Sequence, residues 1–206
     1  MRKPIKKGDT LYFYDLGTYD GREIDRFIGV TMRLRVDYQV HSFEAHPQYA
    51  EALRIKYAKD PKVHVHNLMI GDSEGLRPLW LSTVAQGHSM YASKNNATKV
   101  KLAVDATRFS QWTPADFKQH TNILRCNIEG AEWPLFNDLI ETGLYKHIKL
   151  FLGATPGIDI LKCGEIKNHY EKHLALLKAH GITIHPFCTA LGEEQANIHQ
   201  LMKALL

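Results

Sequence analysis

The sequence predicts an α/β fold: a mostly parallel central sheet with helices on both faces. Three observations carry that expectation. Short apolar runs alternate with stretches of helical periodicity, the pattern of βαβ units. The first run, Leu11-Tyr12-Phe13-Tyr14, leads straight into a glycine turn, Asp15-Leu16-Gly17-Thr18-Tyr19-Asp20-Gly21. The next run closes on an acid, Phe43-Glu44, 23 residues beyond Gly21.

Leu11 to Asp15 reads as a central parallel strand, apolar on both faces. Gly21 to about Leu34 reads as a helix with Ile24, Phe27 and Ile28 inward, and Tyr38 to Phe43 as the second strand. Pro47 opens a helix carrying Tyr49, Leu53 and Tyr57 at steps of four, stopped near Asp60-Pro61. Val63 to Ile70 is expected as a third strand, followed by a hairpin-type turn over Gly71-Asp72-Ser73-Glu74-Gly75 and an extended piece, Leu76 to Leu81. Residues 83–97 are small and polar, the pattern of a mobile loop.

Lys99 to Val104 alternates as an edge strand would, and Thr113-Pro114 carries the capping chemistry of a short helix. Asn122 to Ile128 is a further strand ending in Glu129-Gly130-Ala131-Glu132. Pro134 opens a helix with the stripe Leu135, Phe136, Leu139 and Ile140, closed by Gly143. His147 to Leu152 is the next strand. A helix is expected from about Glu165 to His180, an extended piece over Ile182 to Phe187, and a C-terminal helix with Ile198, Leu201, Met202 and Leu205.

The bulk numbers bound the class. The chain of 206 residues reads as a single domain, long enough to bury roughly 70% of its unfolded surface. It has 44% hydrophobic and 23% charged residues, and no apolar stretch long enough to cross a membrane. Cys126, Cys163 and Cys188 are odd in number and widely spaced, which suits a reducing, cytoplasmic setting. Net charge is +4, with Arg2, Lys3, Lys6 and Lys7 in residues 1–9, read as a solvated basic tail.

In open parallel sheets, ligands bind beyond the carboxyl ends of the strands at the switch point. Asp15 to Gly21, Glu44, Asp72 and Asn127 to Glu132 all fall there. Glycines let a ligand approach the backbone, and a carboxylate ending an apolar strand finds partners in the two ribose hydroxyls of an adenosine. The turn lacks the third glycine of a dinucleotide fingerprint, which disfavours a NAD-dependent oxidoreductase. Its acids suit a ligand with a cationic amino-acid end, such as S-adenosylmethionine (SAM).

Those blocks, together with Phe43-Glu44-Ala45-His46-Pro47, Ile70-Gly71-Asp72 and Ile128-Glu129-Gly130-Ala131-Glu132, resemble the FkbM family of SAM-dependent methyltransferases. The resemblance spans about residues 11 to 152. It implies a Rossmann-like class I methyltransferase fold and O-methylation of a hydroxyl on a sugar, glycan or natural product, with S-adenosylhomocysteine (SAH) as product. It places Asp15, Gly17, Tyr19, Asp20 and Gly21 at the cofactor turn, Glu44 and Ala45 at the ribose, and Met69, Ile70 and Asp72 around the adenine. Asn127 and Glu129 fall at the reacting end, where residues i and i+2 of an extended chain share a face.

Methyl transfer to oxygen requires positioning plus a base, for which Glu129 or His88 are the candidates. The block reads Arg125-Cys126-Asn127, whereas the resemblance implies an acid at position 127. Asparagine loses the charge and is a poor ligand for a hard cation, so no metal is expected. Likewise, an acid is implied after the fifth strand, where Gly153-Ala154-Thr155-Pro156-Gly157 stands. His64 and His66 on one strand face, and His169 and His173 one helical turn apart, read as solvated rather than zinc-binding.

Three alternatives stay open: a SAM-binding module without turnover, an RNA-modifying methyltransferase, and an acceptor cleft completed by a second subunit in a homo-oligomer. No added basic domain supports nucleic acid as a partner, and no apolar segment supports a membrane.

Overall fold

The computed structural model describes residues 5–153 and 157–187. The basic residues 1–4 and the expected C-terminal helix lie outside them. Nine strands are described: β1 (Thr10–Leu16), β2 (Asp37–Phe43), β3 (Val63–His66), β4 (Met69–Ile70), β5 (Gly75–Ser82), β6 (Ala97–Thr107), β7 (Thr121–Cys126), β8 (Ile148–Gly153) and β9 (Ile184–Pro186). Six form the central sheet in the order β3-β2-β1-β7-β8-β9, every pair parallel. The chain winds outward from β1 to β3, returns through β7, and winds out again to β9. The switch point therefore lies between β1 and β7. The result is an α/β, Rossmann-like sheet.

Alternation along β1 divides the core into two layers. Leu11 and Phe13 pack with Ile24, Phe27 and Val30 of α1 (Arg22–Leu34) and with Leu53 of α2 (Pro47–Lys56). Tyr14 and Leu16 turn to the other face. They pack there with Phe109 of α3 (Phe109–Trp112), Leu135, Phe136 and Leu139 of α4 (Glu132–Glu141), and Leu177 of α6 (Tyr170–Ala179). A short helix, α5 (Ile158–Leu161), lies between β8 and α6. Both faces being covered is what makes the strands apolar throughout. Among the described residues no helix is long and apolar enough to cross a membrane.

Several expectations need correction. The apolar run 63–70 is two strands: Asn67 breaks it, its Nδ2 donating to the carbonyls of Glu44 (2.9 Å) and Ala45 (3.0 Å). After that break, β4 leaves the central sheet for a second sheet ordered β4-β6-β5. In consequence Gly71 to Gly75 is not a hairpin turn, because β4 and β5 lie on opposite sides of β6. Lys99 to Val104 of β6 pair with β5 alone, as an edge does, and only Ala106 and Thr107 also pair with β4; Val104 and Ala106 pack on one face against Leu79 and Met69.

Thr113-Pro114 is followed by a short 3-10 helix over Phe117–Gln119, while Thr113 itself caps the end of α3, its Oγ1 donating to the Phe109 carbonyl (2.7 Å). The helix expected from Glu165 begins at Tyr170, after a 3-10 turn over Lys167–His169.

The histidines also differ from expectation. His173 is fully buried between Trp133 and Phe136, and neither ring nitrogen has a partner among the described residues. His66 stacks on Phe43 and meets His41, with 3.2 Å between the two ring nitrogens. Solvation does not describe them. No group of three or more His, Cys, Asp or Glu among the described residues is arranged to hold a metal ion.

Burial pushes His41, His66 and His173 down to about 4 from an ordinary 6.5. Below pH 6.5 the unfolded chain takes up protons that the folded rings refuse, so stability falls as pH drops toward about 4. The expected slope is about 1.4 kcal/mol per pH unit for each histidine in that window. Urea unfolding at pH 7 and pH 5 checks this: His173→Leu should lose less stability between the two than the parent chain.

Candidate functional site

A cleft opens over the carboxyl ends of β1, β2 and β7, with the second sheet as its outer wall. It is a slot with about 810 Å³ of empty space counted to its open mouth.

The floor is the turn after β1. Gly17 has φ +83°, and a Cβ there would drive into the Asn127 carbonyl at the end of β7. Only glycine lets the two strand ends approach this closely. The turn is then tied to β2: the Gly17 N–H donates to the Phe43 carbonyl (2.9 Å), and the Tyr19 N–H to Glu44 Oε2 (2.8 Å). The His46 N–H donates to Glu44 Oε1 (2.8 Å). Burial pushes the Glu44 carboxyl up, while these two N–H groups pull it the other way. Each Glu44 oxygen carries one bond and keeps a lone pair for a ligand hydroxyl.

Beneath the floor lies a buried ion pair that sequence reading did not find. Asp15 and Arg125 are direct partners in the β1–β7 ladder, 0% and 2% exposed. Arg125 Nη1 donates to Asp15 Oδ1 (2.8 Å) and to the Gly17 carbonyl (2.9 Å), and Nη2 stands 3.7 Å from Glu23 of α1. One guanidinium thus faces two acids. Burial pushes the Asp15 carboxyl up, with the guanidinium opposing.

Asn127 and Glu129 both line the cleft, but not by the alternation of a strand, because β7 ends at Cys126. Glu129 sits in the left-handed region (φ +59°), costly for a residue with a Cβ. Its neighbours hold it there. Glu132 accepts the N–H groups of Ile128 (2.9 Å) and Gly130 (2.8 Å), and Ser89 Oγ donates to the Glu129 carbonyl (2.7 Å). Lys94, 4% exposed, pairs with the Glu129 carboxylate and donates to the Gly87 carbonyl (3.0 Å). The segment 83–97 is therefore anchored at several points, Ser93 to Glu165 among them.

His88 lines the cleft from that segment. Its Nδ1 accepts the Ser82 N–H (3.0 Å), and its ring stacks parallel to Tyr49 at 5.8 Å. Burial lowers its affinity for a second proton.

Of the residues singled out by sequence, Gly17, Tyr19, Asp20, Glu44, Ala45, Met69, Ile70, His88, Asn127 and Glu129 line one cleft. Three do not. Asp15 points beneath the floor to Arg125. Gly21 is turned away from the slot, its missing Cβ lying 2.5 Å from the Tyr57 hydroxyl. Asp72 is exposed, accepting from Ser73 Oγ (2.7 Å), and its carbonyl accepts from Arg108 Nε (2.8 Å). That is turn chemistry.

Sequence reading missed Glu23, Lys94 and Arg125, and noted Tyr49 only in the repeat of its helix. Helix position alone gives no sign that Glu23 and Tyr49 look into a cleft. Nothing local distinguishes Lys94 from a solvated loop lysine.

Arg125→Met would strand Asp15 and Glu23 without a counter-charge. It should destabilise the chain by about 3–5 kcal/mol in urea unfolding at pH 7. Gly17→Ala should cost roughly 2 kcal/mol or more in the same assay, since both φ and space oppose a Cβ.

No protein-family model, no curated protein and no solved structure matches this chain.

Proposed function

We propose that the cleft binds S-adenosylmethionine and that the chain is a methyltransferase acting on an oxygen of a small molecule or glycan. The observation that carries this reading is Glu44. It is a buried carboxylate closing β2 beside the glycine turn at the switch point, fixed by two backbone N–H groups with its outer lone pairs unused. That is a receptor for a pair of vicinal hydroxyls on a ribose.

Charge supports the cationic end of the same ligand. Asp15 and Glu23 together outnumber Arg125, and the second Asp15 oxygen has no partner among the described residues. The surplus negative charge lies directly under the slot. Ala45, Met69, Ile70 and Leu79 give apolar walls for a flat base.

When bound, the cofactor supplies an activated methyl group on sulfur. The chain's own residues bind and orient. Glu44 fixes the ribose, the Gly17 turn lets the ligand lie against the backbone, and the anchored segment 83–97 narrows the slot and excludes water. Positioning of this kind is where most of the acceleration of a displacement reaction arises. The free thiols Cys126 and Cys163 fit action in the cytosol. A second reading, binding without transfer, is favoured by Asn127, which cannot take a proton.

Calorimetry with SAM and SAH tests the assignment. Glu44→Ala should weaken both by about 1.5–3 kcal/mol, roughly tenfold to a hundredfold in Kd. An unchanged affinity removes Glu44 from the site. Formation of SAH with an acceptor separates transfer from binding alone.

A further inference from the structure

The four carboxylates that line the cleft are all engaged. Asp20 pairs with Arg22 (2.6 Å), Glu23 faces Arg125, Glu44 accepts two backbone N–H groups, and Glu129 pairs with buried Lys94. Each thus has a partner among the described residues, although Glu23 Oε1 accepts no hydrogen bond there.

The remaining candidate, His88, is not a base. A backbone N–H has only one role, so the Ser82 N–H must find a lone pair on His88 Nδ1. That bond places the ring proton on Nε2, and burial keeps the ring neutral. His88 therefore offers the cleft an N–H donor. Asn127 lines the slot as well, and its side-chain amide, which makes no hydrogen bond among the described residues, is the candidate for a second donor. Around them the wall is apolar, from Leu68, Met90 and the Tyr49 ring on which His88 stacks.

Two neutral N–H donors, carboxylates that each have a partner among the described residues, and an apolar wall suit an acceptor that arrives already ionised. We propose that the acceptor is a small, flat carboxylic acid, bound as its carboxylate by His88 Nε2–H and the Asn127 amide, and that the product is its methyl ester. The inference rests on the cofactor reading for the transfer step but not for the anion site. In that step a carboxylate oxygen attacks the methyl carbon and a C–O bond forms. The C–S bond breaks, its electron pair stays on sulfur, and no proton moves. An alcohol acceptor would release a proton, and each described carboxylate of the cleft already has a partner.

Benzoate and benzyl alcohol are matched probes that differ in the ionised group. Titrated calorimetrically into the chain, with and without saturating SAH, benzoate should bind at least about tenfold more tightly than benzyl alcohol. Asn127→Asp should weaken benzoate about tenfold or more and leave benzyl alcohol unaffected, because it sets a charge against the carboxylate. His88→Gln should retain most of the benzoate affinity and His88→Leu should lose it. Nitrogen-15 NMR of the unaltered chain at pH 7 should show His88 as the neutral Nε2–H tautomer.

Equal or tighter binding of benzyl alcohol, binding of neither probe, or a His88 ring that is cationic or protonated on Nδ1 would overturn the proposal. If SAH fails to bind while benzoate and the tautomer behave as stated, the cofactor reading falls and the anion site stands.

Discussion

Arg125 is the constraint on which the cleft depends. Its guanidinium joins the last turn of β1, the carbonyl of Gly17 and the first turn of α1, all from within the sheet. A lysine in its place would be a point charge without the fork needed to serve an acid and a carbonyl from one nitrogen while facing a second acid from another. The pair is costly to desolvate, so it adds little net stability compared with apolar residues. Its value is positional: with Arg125 in place, the glycine turn has one conformation and Glu44 has fixed donors to accept.

The second sheet and the segment 83–97 turn that floor into a slot. They arise from an insertion between β3 and β7, where a short crossover would otherwise carry one helix. The insertion contributes apolar walls through Met69, Leu79 and Met90 and a polar lining through His88. It is fastened to the far side by Lys94 on Glu129 and by Ser93 on Glu165. The Lys94 fastening engages a carboxylate that would otherwise be free in the cleft. Anchoring the segment and pairing Glu129 are thus one contact, in a lining that is acidic in composition.

Where the sequence was legible, the reason was periodicity or strand-end chemistry. β1, β2 and α1 could be read because burial on both faces forces continuous apolar runs and Gly21 must take a positive φ before the helix. Glu44 could be read because a carboxylate buried at the end of such a run must be held by hydrogen-bond donors, and a ligand can supply them. The run 63–70 misled because apolar content does not reveal which sheet a strand joins; the Asn67 side chain, bonding to carbonyls from β2's end, decides that. His173 looked solvated because helix spacing fixes which residues share a face, not whether that face meets solvent or Trp133 and Phe136.

The sequence by itself determined the layered α/β architecture, the glycine turn and the acid at the end of β2, since each is a local consequence of backbone freedom or hydrophobic period. Tertiary structure decided which acids are free. Asp15 lies 110 positions from Arg125, and Glu129 lies 35 from Lys94. No local pattern encodes such pairings, because an ion pair depends on distance in space and on the exclusion of water, and both exist only once the sheet is assembled.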